Sequence, residues 1–485
     1  MKNGLILTVL VVLTAAACSD SSSNRTSVPP PVVTPDPEVV VVGPIAGFGS
    51  VIANGVEFDT AAAILTMDDE PATVSDLRIG MVVSIHGTIG TATEAARASE
   101  ITFVDDAEGP ISSIDWAARR LIVMGRTILV DELTVFEDAT FDTLAAGNVV
   151  QVSGLWRNQE RVQATHVHRI ANMYAAGMTM EVKGVISGLD VGNQRFNIGT
   201  QSCDYSAATL DLGDADLADG LYVEVSSTTP IAGGDMQLNR IRARDRDRGR
   251  YRLCAADCDF ELVGYVTSFV SETEFEVDGQ TVTTTPSTVY VNGTVNSLAL
   301  DVKLAVEGTL NEAGVLVAER IVFHLPSLVE IDADVEEIDS QNEVVTILGI
   351  DVQTNEFTLF RDHTTAGRQE FGFDDLATGD RLKIRAVLDA GSVVAARLER
   401  DSPDDEVTLK ALVESAERPS IILLGVTVTS DENTIFQNEA HVVIDVETFF
   451  ALVDLDSLVR TEGVYNGSSI LASKMFLREC ANDCL

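Results

Sequence analysis

The sequence predicts an all-β protein, built as a tandem array of about six small five-stranded β-barrels after a signal and a tether. Three observations predict this fold class. A glycine between two apolar runs recurs in copy after copy, each copy contains the alternation typical of half-buried strands, and long segments with a helical period are absent.

Three anchors define the repeat and keep the same order in every copy. The first is a glycine between two β-branched or apolar runs, which recurs every 70 to 80 residues at Gly55, Gly125, Gly199, Gly279, Gly349 and Gly425. The second is a turn glycine before an alternating strand, at Gly80, Gly147, Gly220 and Gly379. The third is a small or apolar residue in the closing strand, at Ala98, Ala164, Leu238, Ala318, Ala395 and Ala472.

Two copies replace the turn glycine with an aspartate, Asp301 in the fourth and Asp456 in the sixth. Aspartate is among the residues that tolerate unusual turn dihedrals, so the same turn remains accessible. The anchors place the repeats at residues 42–105, 106–172, 178–248, 259–325, 329–400 and 405–480.

Each repeat is expected to contain about five short strands. A tight turn at the first anchor joins the second strand to the third, and two further strands follow the second anchor. A sheet of five short strands buries its apolar face most easily by closing into a small barrel, which also removes the exposed edges.

The N-terminal region is predicted to be a signal peptide, residues 1–17, followed by a tether, residues 18–41. A basic start precedes the apolar residues 5–17, a stretch too short to span a bilayer and typical of a secretory signal. The tether is rich in serine and proline, which favours an extended chain that buries nothing.

The junction of three alanines with Cys18 resembles a bacterial lipoprotein signal, with Ala15 where that family has leucine. The resemblance implies cleavage before Cys18 and acylation of this cysteine with chains such as palmitate, and two or more acyl chains hold a protein stably on a membrane. Ser19 after the cysteine implies the outer membrane. The alternative is an ordinary cleaved signal beside a chance cysteine.

The repeats resemble a bacterial family of exported proteins of unknown function, the one numbered 5666. The first repeat carries the family's pattern most completely, at Gly47, Val51, Gly55, Asp76, Leu77, Gly80, Val83 and Gly87. Repeats three, five and six depart from it. The resemblance covers nearly all of residues 43–480, implies small OB-like barrels, and supplies no catalytic residues.

Five cysteines remain if Cys18 is acylated. Two pairs share the pattern Cys-Ala-x-Asp-Cys, each after the closing strand of a repeat: Cys254 with Cys258, and Cys480 with Cys484. Close pairs in an oxidising compartment are more often structural disulfides than metal or redox sites, so two local disulfides are predicted. Cross-pairing with Cys203 and metal binding are the alternatives.

An arginine strip occupies every second position of one segment, at Arg240, Arg242, Arg244, Arg246, Arg248, Arg250 and Arg252. On a strand these side chains would all face one side. In one interpretation the strip is a connector whose arginines pair with acids of neighbouring repeats. In the other it is an anion-binding site that recognises a glycan, phosphate or sulfate through planar guanidinium groups.

The remaining candidate residues do not identify a chemical activity. His166 and His168 lie two apart on a predicted strand and could bind zinc or copper, but without a third ligand a solvent-facing polar stripe is favoured. Four aspartates could form a calcium loop or a solvated turn: Asp211, Asp214, Asp216 and Asp219. We find no motif for a nucleophile, a phosphate loop or a zinc hydrolase, so no catalytic residue, metal ligand or cofactor is predicted.

The net charge of the chain is −42, from 33 lysines and arginines against 75 acids. Nucleic acid is therefore disfavoured as a partner, because each phosphate contact needs a cation. The leading hypothesis is a non-enzymatic lipoprotein of the bacterial envelope, held on the membrane by its lipid anchor. It would act as a repeat-built binding or structural module for a glycan or an envelope protein. The alternatives are an envelope enzyme acting on polysaccharide and a subunit of an envelope assembly.

Overall fold

Strands dominate the structure, a computed structural model that describes residues 37–48, 50–89, 96–158, 160–231, 233–244, 254, 258–364, 371–438, 442–455 and 457–478. These residues contain a single α-helix, α1 (Val446–Leu452), and a few 3-10 helices. The predicted all-β class is confirmed. Within the described residues, no helix has both the length and the hydropathy that a membrane span needs.

The first half of the described chain forms three barrels, which we number in chain order. Barrel 1 contains β1 (Glu38–Phe48), β2 (Val51–Ala53), β3 (Val56–Asp59), β4 (Ile64–Met67), β5 (Glu70–Pro71), β6 (Val82–Thr88) and β7 (Ala96–Phe103). Barrel 2 contains β8 (Ala107–Asp115), β9 (Arg120–Val123), β10 (Arg126–Leu129), β11 (Val135–Glu137), β12 (Val149–Trp156) and β13 (Arg161–Ala171). Barrel 3 contains β14 (Met180–Asp190), β15 (Arg195–Ile198), β16 (Gln201–Asp204), β17 (Thr209–Asp211), β18 (Tyr222–Ser227), β19 (Asp235–Gln237) and β20 (Arg240–Ala243).

The second half continues in the same manner. Barrel 4 contains β21 (Asp259–Ser271), β22 (Glu274–Val277), β23 (Gln280–Val291), β24 (Lys303–Leu310) and β25 (Leu316–Phe323). Barrel 5 contains β26 (Val329–Asp339), β27 (Val344–Ile347), β28 (Ile350–Gln353), β29 (Leu359–Asp362), β30 (Arg381–Asp389) and β31 (Ser392–Asp401). Barrel 6 contains β32 (Val407–Glu417), β33 (Ser420–Leu423), β34 (Val426–Thr429), β35 (Ile435–Gln437), β36 (Val443–Ile444), β37 (Leu458–Tyr465) and β38 (Ser469–Arg478).

The strand pairing of a barrel returns to its own first strand. In barrel 2, β8 pairs with β9, β9 with β10, β10 with β13, β13 with β12, and β12 with β8. The β10–β13 pair is parallel and the others are antiparallel. Barrel 3 varies this plan because its closing strand is divided, so that β19 pairs with β16 and β20 with β18. The predicted small five-stranded barrels of OB-like build are confirmed.

The first anchor glycine forms the turn between the second and third barrel strands, as predicted. Asn54 and Gly55 have φ angles of 49° and 80°, and Asp278 and Gly279 have 48° and 85°. Two successive residues at positive φ are typical of the type I′ turn, whose twist matches that of the strands it joins. Asp301, which stands at a turn-glycine position, has a φ of 70°, so aspartate does adopt the glycine conformation there.

A buried threonine fixes the closing strand in four of the barrels. Its hydroxyl donates to the carbonyl oxygen of the third-anchor alanine at 2.7 to 2.8 Å: Thr134 to Ala164, Thr288 to Ala318, Thr358 to Ala395, and Thr434 to Ala472. A β-bulge interrupts the strand ladder beside each of these alanines. The threonine therefore provides a hydrogen bond where the ladder is irregular.

The first strands of the barrels join them in pairs. β1 pairs in parallel with β21, β8 pairs antiparallel with β14, and β26 pairs antiparallel with β32. Barrels 1 and 4, 2 and 3, and 5 and 6 therefore share sheets of 12, 13 and 13 strands. Neighbours in these sheets are not always neighbours in sequence.

An apolar cluster packs further barrels against one another. It combines Val82 of barrel 1 and Leu155 of barrel 2 with four residues of barrel 4, and Phe357 of barrel 5 packs at its edge. Burial of each large apolar side chain contributes about 1.5–3 kcal/mol. The described residues accordingly form one compact unit.

Candidate functional site at the junction of barrels 1 to 3

The described part of the arginine strip lies at the end of barrel 3. β20 carries Arg240 and Arg242 and ends at Ala243, and Arg244 follows directly. Arg240 and Arg242 both reach the carboxylate of Asp211, at 2.7 and 3.7 Å, as expected for side chains two positions apart on a strand. Four further members of the strip lie outside the described residues: Arg246, Arg248, Arg250 and Arg252.

Arg242 and Arg244 connect barrel 3 to barrel 1. Both guanidinium groups contact the carboxylate of Asp69, in the turn between β4 and β5. Arg244 also donates from Nε to Glu224 Oε2 at 2.9 Å, and its side chain is only 16% exposed. These are the contacts that the connector interpretation expects of the strip.

Lys183 lies at the centre of this junction. It belongs to β14, and only 4% of its surface is exposed. Its ammonium group donates to Asp105 at 2.7 Å and to Glu181, and it lies 3.5 Å from Asp68 and 4.0 Å from Glu224. A charge buried to this degree needs close partners, and four carboxylates supply them.

Acidic side chains outnumber basic ones in what we call the junction cluster. Its basic members are Lys183, Arg242 and Arg244, and its acidic members are Asp68, Asp69, Asp105, Glu108, Glu181 and Glu224. Gln151 lies between two of the acids, with Nε2 3.4 Å from Asp105 and 3.5 Å from Glu108. The cluster therefore holds more acidic than basic groups, and Asp105 and Lys183 at its centre are buried.

This imbalance shifts the pKa values of the buried groups. Burial, and next the charge of Asp68, raises the pKa of Asp105 well above its usual range. Burial, followed by the charges of Asp68 and Glu181, raises the pKa of Glu108 to about 7. Burial alone would lower the pKa of Lys183, but the surrounding carboxylates, Asp105 first, raise it. The surroundings therefore favour the charged form of Lys183, and they favour the protonated forms of Asp105 and Glu108 relative to free carboxyl groups.

Asp106 holds Trp156 beside the cluster. Its carboxylate accepts hydrogen bonds from Trp156 Nε1 at 2.7 Å and from the Gly154 amide at 2.9 Å. The Trp156 amide in turn donates to Asp278 of barrel 4 at 2.6 Å. Trp156 thus joins the junction, through its indole, to a further barrel, through its backbone amide.

A cavity of about 10 Å³ lies in the junction, lined by Val104, Asp105, Asp106, Trp156, Lys183, Tyr222 and Arg244. A space of this size holds about one water molecule. An organic substrate does not fit inside it. What the arrangement can do chemically is hold protons among its carboxylates and fix barrels 1, 2 and 3 to one another.

The same carboxylates form the one potential metal-ligand group found among the described residues. Oxygen atoms of Asp68, Asp105 and Glu181 lie within 4.8 Å of one another. The ammonium group of Lys183 contacts all three, so it supplies the positive charge that a metal ion would bring.

One of the two predicted disulfides lies within the described residues. Cys254 and Cys258 form a disulfide with a Cα–Cα distance of 6.3 Å, which confirms that prediction. Cys203 is buried and has no disulfide partner among the described residues. Cys18, Cys480 and Cys484 lie outside the described residues.

The predicted solvent-facing histidine stripe is wrong for His166. This residue is 1% exposed, and its Nε2 lies 3.4 Å from Glu137 Oε2. Arg78 of barrel 1 binds the same carboxylate at 2.8 Å, so a second barrel packs over the strand face. His168 is more exposed and lies 3.3 Å from Asp138.

The aspartates of the calcium-loop alternative have other partners. Asp211 pairs with Arg240, and Asp219 accepts a hydrogen bond from the Leu189 amide at 2.8 Å. Two of the four aspartates are therefore already paired with groups of the protein.

Lys183 and Asp105 were not found from the sequence. Alternation along β14 places Met180, Val182 and Ile186 in the barrel core and Lys183 on the opposite face of the strand, outside its own barrel. By the same alternation, the neighbouring Gly184 lies on the face of β14 that points into the barrel core. The sequence does show a single lysine within a strand of mostly apolar residues. Its burial depends on contacts with other barrels, which the alternation of one strand does not predict.

Comparison with known families assigns the repeats. Four segments match the model described as Domain of unknown function (DUF5666), residues 108–168, 263–322, 334–399 and 410–475, which lie in barrels 2, 4, 5 and 6. The expectation that the first repeat fits best is therefore wrong, as is the expectation that repeats five and six fit poorly. The matched barrels are those with the threonine–alanine hydrogen bond, whereas barrel 1 carries the β4–β5 pair and barrel 3 a divided closing strand.

No curated protein matches the chain. The four matched segments together span more than half of its residues. The chain belongs to the family of domains of unknown function DUF5666.

Proposed function

We propose that the protein is a non-enzymatic lipoprotein of the bacterial envelope whose barrels form a rigid scaffold for binding a glycan or an envelope protein. The observation that carries this proposal is the placement of charged side chains between barrels. In the junction cluster, basic groups of barrel 3 bind acids of barrel 1 and of the segment that enters barrel 2.

Other barrels are connected in the same way. Arg157 of barrel 2 donates to both carboxylate oxygens of Asp301 in barrel 4, at 2.5 and 2.7 Å. Arg397 of barrel 5 donates to the carbonyl oxygens of Glu132 and Thr134 in barrel 2, at 3.2 and 3.1 Å. A two-point contact of a planar guanidinium group fixes orientation as well as distance.

Barrel 6 is held to barrel 2 by a third contact. Lys410, which is 5% exposed, donates to the Glu132 carboxylate at 2.6 Å. Loss of one partner from a buried pair leaves an uncompensated charge, so such contacts resist separation of the barrels. Barrels fixed in this way present a surface of constant geometry, which supports a scaffold role.

The envelope part of the proposal rests on the N-terminal sequence. The apolar stretch, the alanine–cysteine junction and the proline-rich tether are the features that support it. The predicted tether ends before Glu38, where β1 begins, and not at residue 41. Residues 18–37 would reach up to about 60 Å when extended at ~3.1 Å per residue. That reach would allow the barrels to contact material well away from a membrane surface.

Metabolic labelling with a palmitate analogue tests the anchor. The wild-type protein should be labelled and should sediment with membranes, and Cys18→Ala should lose both properties. Cys203→Ala is the matched control, because it removes a different cysteine and should keep the label. Equal labelling of wild type and Cys18→Ala would contradict the anchor.

Binding is tested with the full-length Cys18→Ala protein on immobilised envelope glycans and envelope proteins. The proposal expects retention on at least one of these components without shortening of the glycan chains. Shortening of a glycan during incubation would favour an enzyme. Absence of retention on every fraction would contradict the binding role.

A further inference from the structure

An aromatic platform lies on the surface of barrel 2, in the turn between β8 and β9. Its exposed member is Trp116, which follows the last residue of β8 and is 50% exposed. In the other barrels, the sequence between the first and second strands has no aromatic residue: residues 49–50, 191–194, 272–273, 340–343 and 418–419. The fold therefore does not require an aromatic side chain at this place.

The indole is held by a small aromatic group beneath it. Trp116 packs against Phe141 with ring centres 5.2 Å apart and planes at 67°, and Phe141 is 6% exposed. The ring centre of Phe136 lies 6.4 Å from that of Phe141. The Arg119 guanidinium lies 4.9 Å from the Phe141 ring centre. An edge-to-face contact of this kind uses at most one face of the indole.

Polar groups with planar hydrogen-bonding ends lie at the two ends of the same turn, because Asp115 is the last residue of β8 and Arg120 the first of β9. Asp115 and Arg120 form an ion pair at 2.8 Å, and their side chains are 41% and 45% exposed. A backbone hydrogen bond from Ala118, together with Arg120, lowers the pKa of Asp115, so its carboxylate is an ionised acceptor at neutral pH. A flat apolar ring beside a carboxylate and a guanidinium group is complementary to a sugar ring, which has an apolar C–H face and a rim of hydroxyls.

We infer that this platform, Trp116 with Asp115, Arg119 and Arg120, binds the pyranose rings of a polysaccharide. The inference deepens the proposed binding function and rests on it. The loop between the first two strands is one of those that OB-type barrels use for oligosaccharides and oligonucleotides. The charge of −42 favours the uncharged sugar over the polyanion. Rings with mainly equatorial hydroxyls, such as β-linked glucose or N-acetylglucosamine, present the flattest C–H face to an indole.

Tryptophan fluorescence and calorimetry with the full-length Cys18→Ala protein test the inference. The probes are the hexamers of β-1,4-linked glucose and of β-1,4-linked N-acetylglucosamine. We expect saturable binding of at least one hexamer, with a change in the emission of Trp116. Trp116→Ala should bind at least about tenfold more weakly at an unchanged melting temperature, and Trp116→Tyr should restore part of the affinity.

Val191→Ala is the matched control, because Val191 is 70% exposed in the corresponding turn of barrel 3. It should bind as the unsubstituted protein does. Equal affinity of Trp116→Ala and the control would overturn the platform while leaving the scaffold proposal intact. Retention of envelope material with no affinity for either hexamer would likewise overturn the sugar assignment alone.

Discussion

Glu108 of barrel 2 lies directly opposite Glu181 of barrel 3 in the strand pair that joins the two barrels. Like charges in this position repel each other across the ladder. Burial and the neighbouring acids raise the pKa of both carboxyl groups, that of Glu108 to about 7. The contact between barrels 2 and 3 is therefore sensitive to proton concentration near neutral pH.

The pH dependence of stability should change in Glu108→Gln. The pKa of Glu108 is higher in the folded protein than in the unfolded chain, so the folded state binds the proton more tightly. Its destabilising contribution is absent well below pH 4.5, grows as pH rises from about 4.5 to 7, and is complete above about 7. We expect Glu108→Gln to raise the free energy of unfolding at pH 8 by on the order of 2 kcal/mol, and to raise it by much less near pH 5.

Urea titrations at several pH values between 5 and 8 measure this difference. The control is Glu274→Gln, at an exposed glutamate, which should follow the wild type at every pH. A constant offset between Glu108→Gln and the wild type across this range would show that proton binding at Glu108 does not control the contact.

Removal of the central cation should be costly. Lys183→Met leaves four carboxylates without the ammonium group that contacts them, and breaking a buried pair costs about 3–5 kcal/mol. The same change at Lys383, whose side chain is 44% exposed beside Asp401, should cost less than about 1 kcal/mol. Chemical denaturation of both variants at pH 7.5 compares them, and equal costs would argue against a central role for Lys183.

The arginines of the strip should differ in importance according to their burial. Arg244→Gln removes the link from Glu224 to Asp69 of barrel 1 and should lower the free energy of unfolding by about 1–3 kcal/mol. Arg240→Gln breaks an exposed pair with Asp211 and should cost less than about 1 kcal/mol. Proteolysis under native conditions should also cleave Arg244→Gln faster. A larger effect of Arg240→Gln would contradict the connector interpretation.

The thiol of Cys203 should be inert in the folded protein. Burial raises its pKa to about 12, and the thiolate is the reactive form. Iodoacetamide at pH 8 should leave Cys203 unmodified in the native protein and alkylate it after unfolding in urea, as read by peptide mapping. The disulfide between Cys254 and Cys258 should stay unmodified in both states without reductant. Rapid native alkylation of Cys203 would show that the residue is accessible.

Much of the fold could be predicted from sequence because each barrel repeats its local rules. Turn residues at positive φ, such as Gly55 and Asp301, are specified by their own dihedral preferences. The predicted end of the tether at residue 41 is wrong, because β1 begins at Glu38. Val39 and Val41 enter the core of barrel 1, and Val40 and Val42 that of barrel 4, as expected of a strand that is buried on both faces.

The junction cluster could not be predicted in this way. Alternation identifies which face of a strand points into its own barrel, whereas the burial of Lys183 depends on residues from barrel 1 and from the start of barrel 2. Its partner Asp68 lies more than a hundred residues earlier in the chain. Contacts over this distance depend on how barrels dock, and the local pattern does not encode docking.

The parallel pair of β1 with β21 has a consequence for how the molecule is made. Val39 pairs with Asp259, which is about 220 residues later in the chain. At a synthesis rate of ~5–20 residues per second, β21 is made roughly 10 to 40 seconds after β1. Until then a run of valines with an unsatisfied backbone edge is a template for pairing with other chains. The yield of correctly assembled protein should therefore depend on keeping nascent chains apart, more than on the stability of the finished fold.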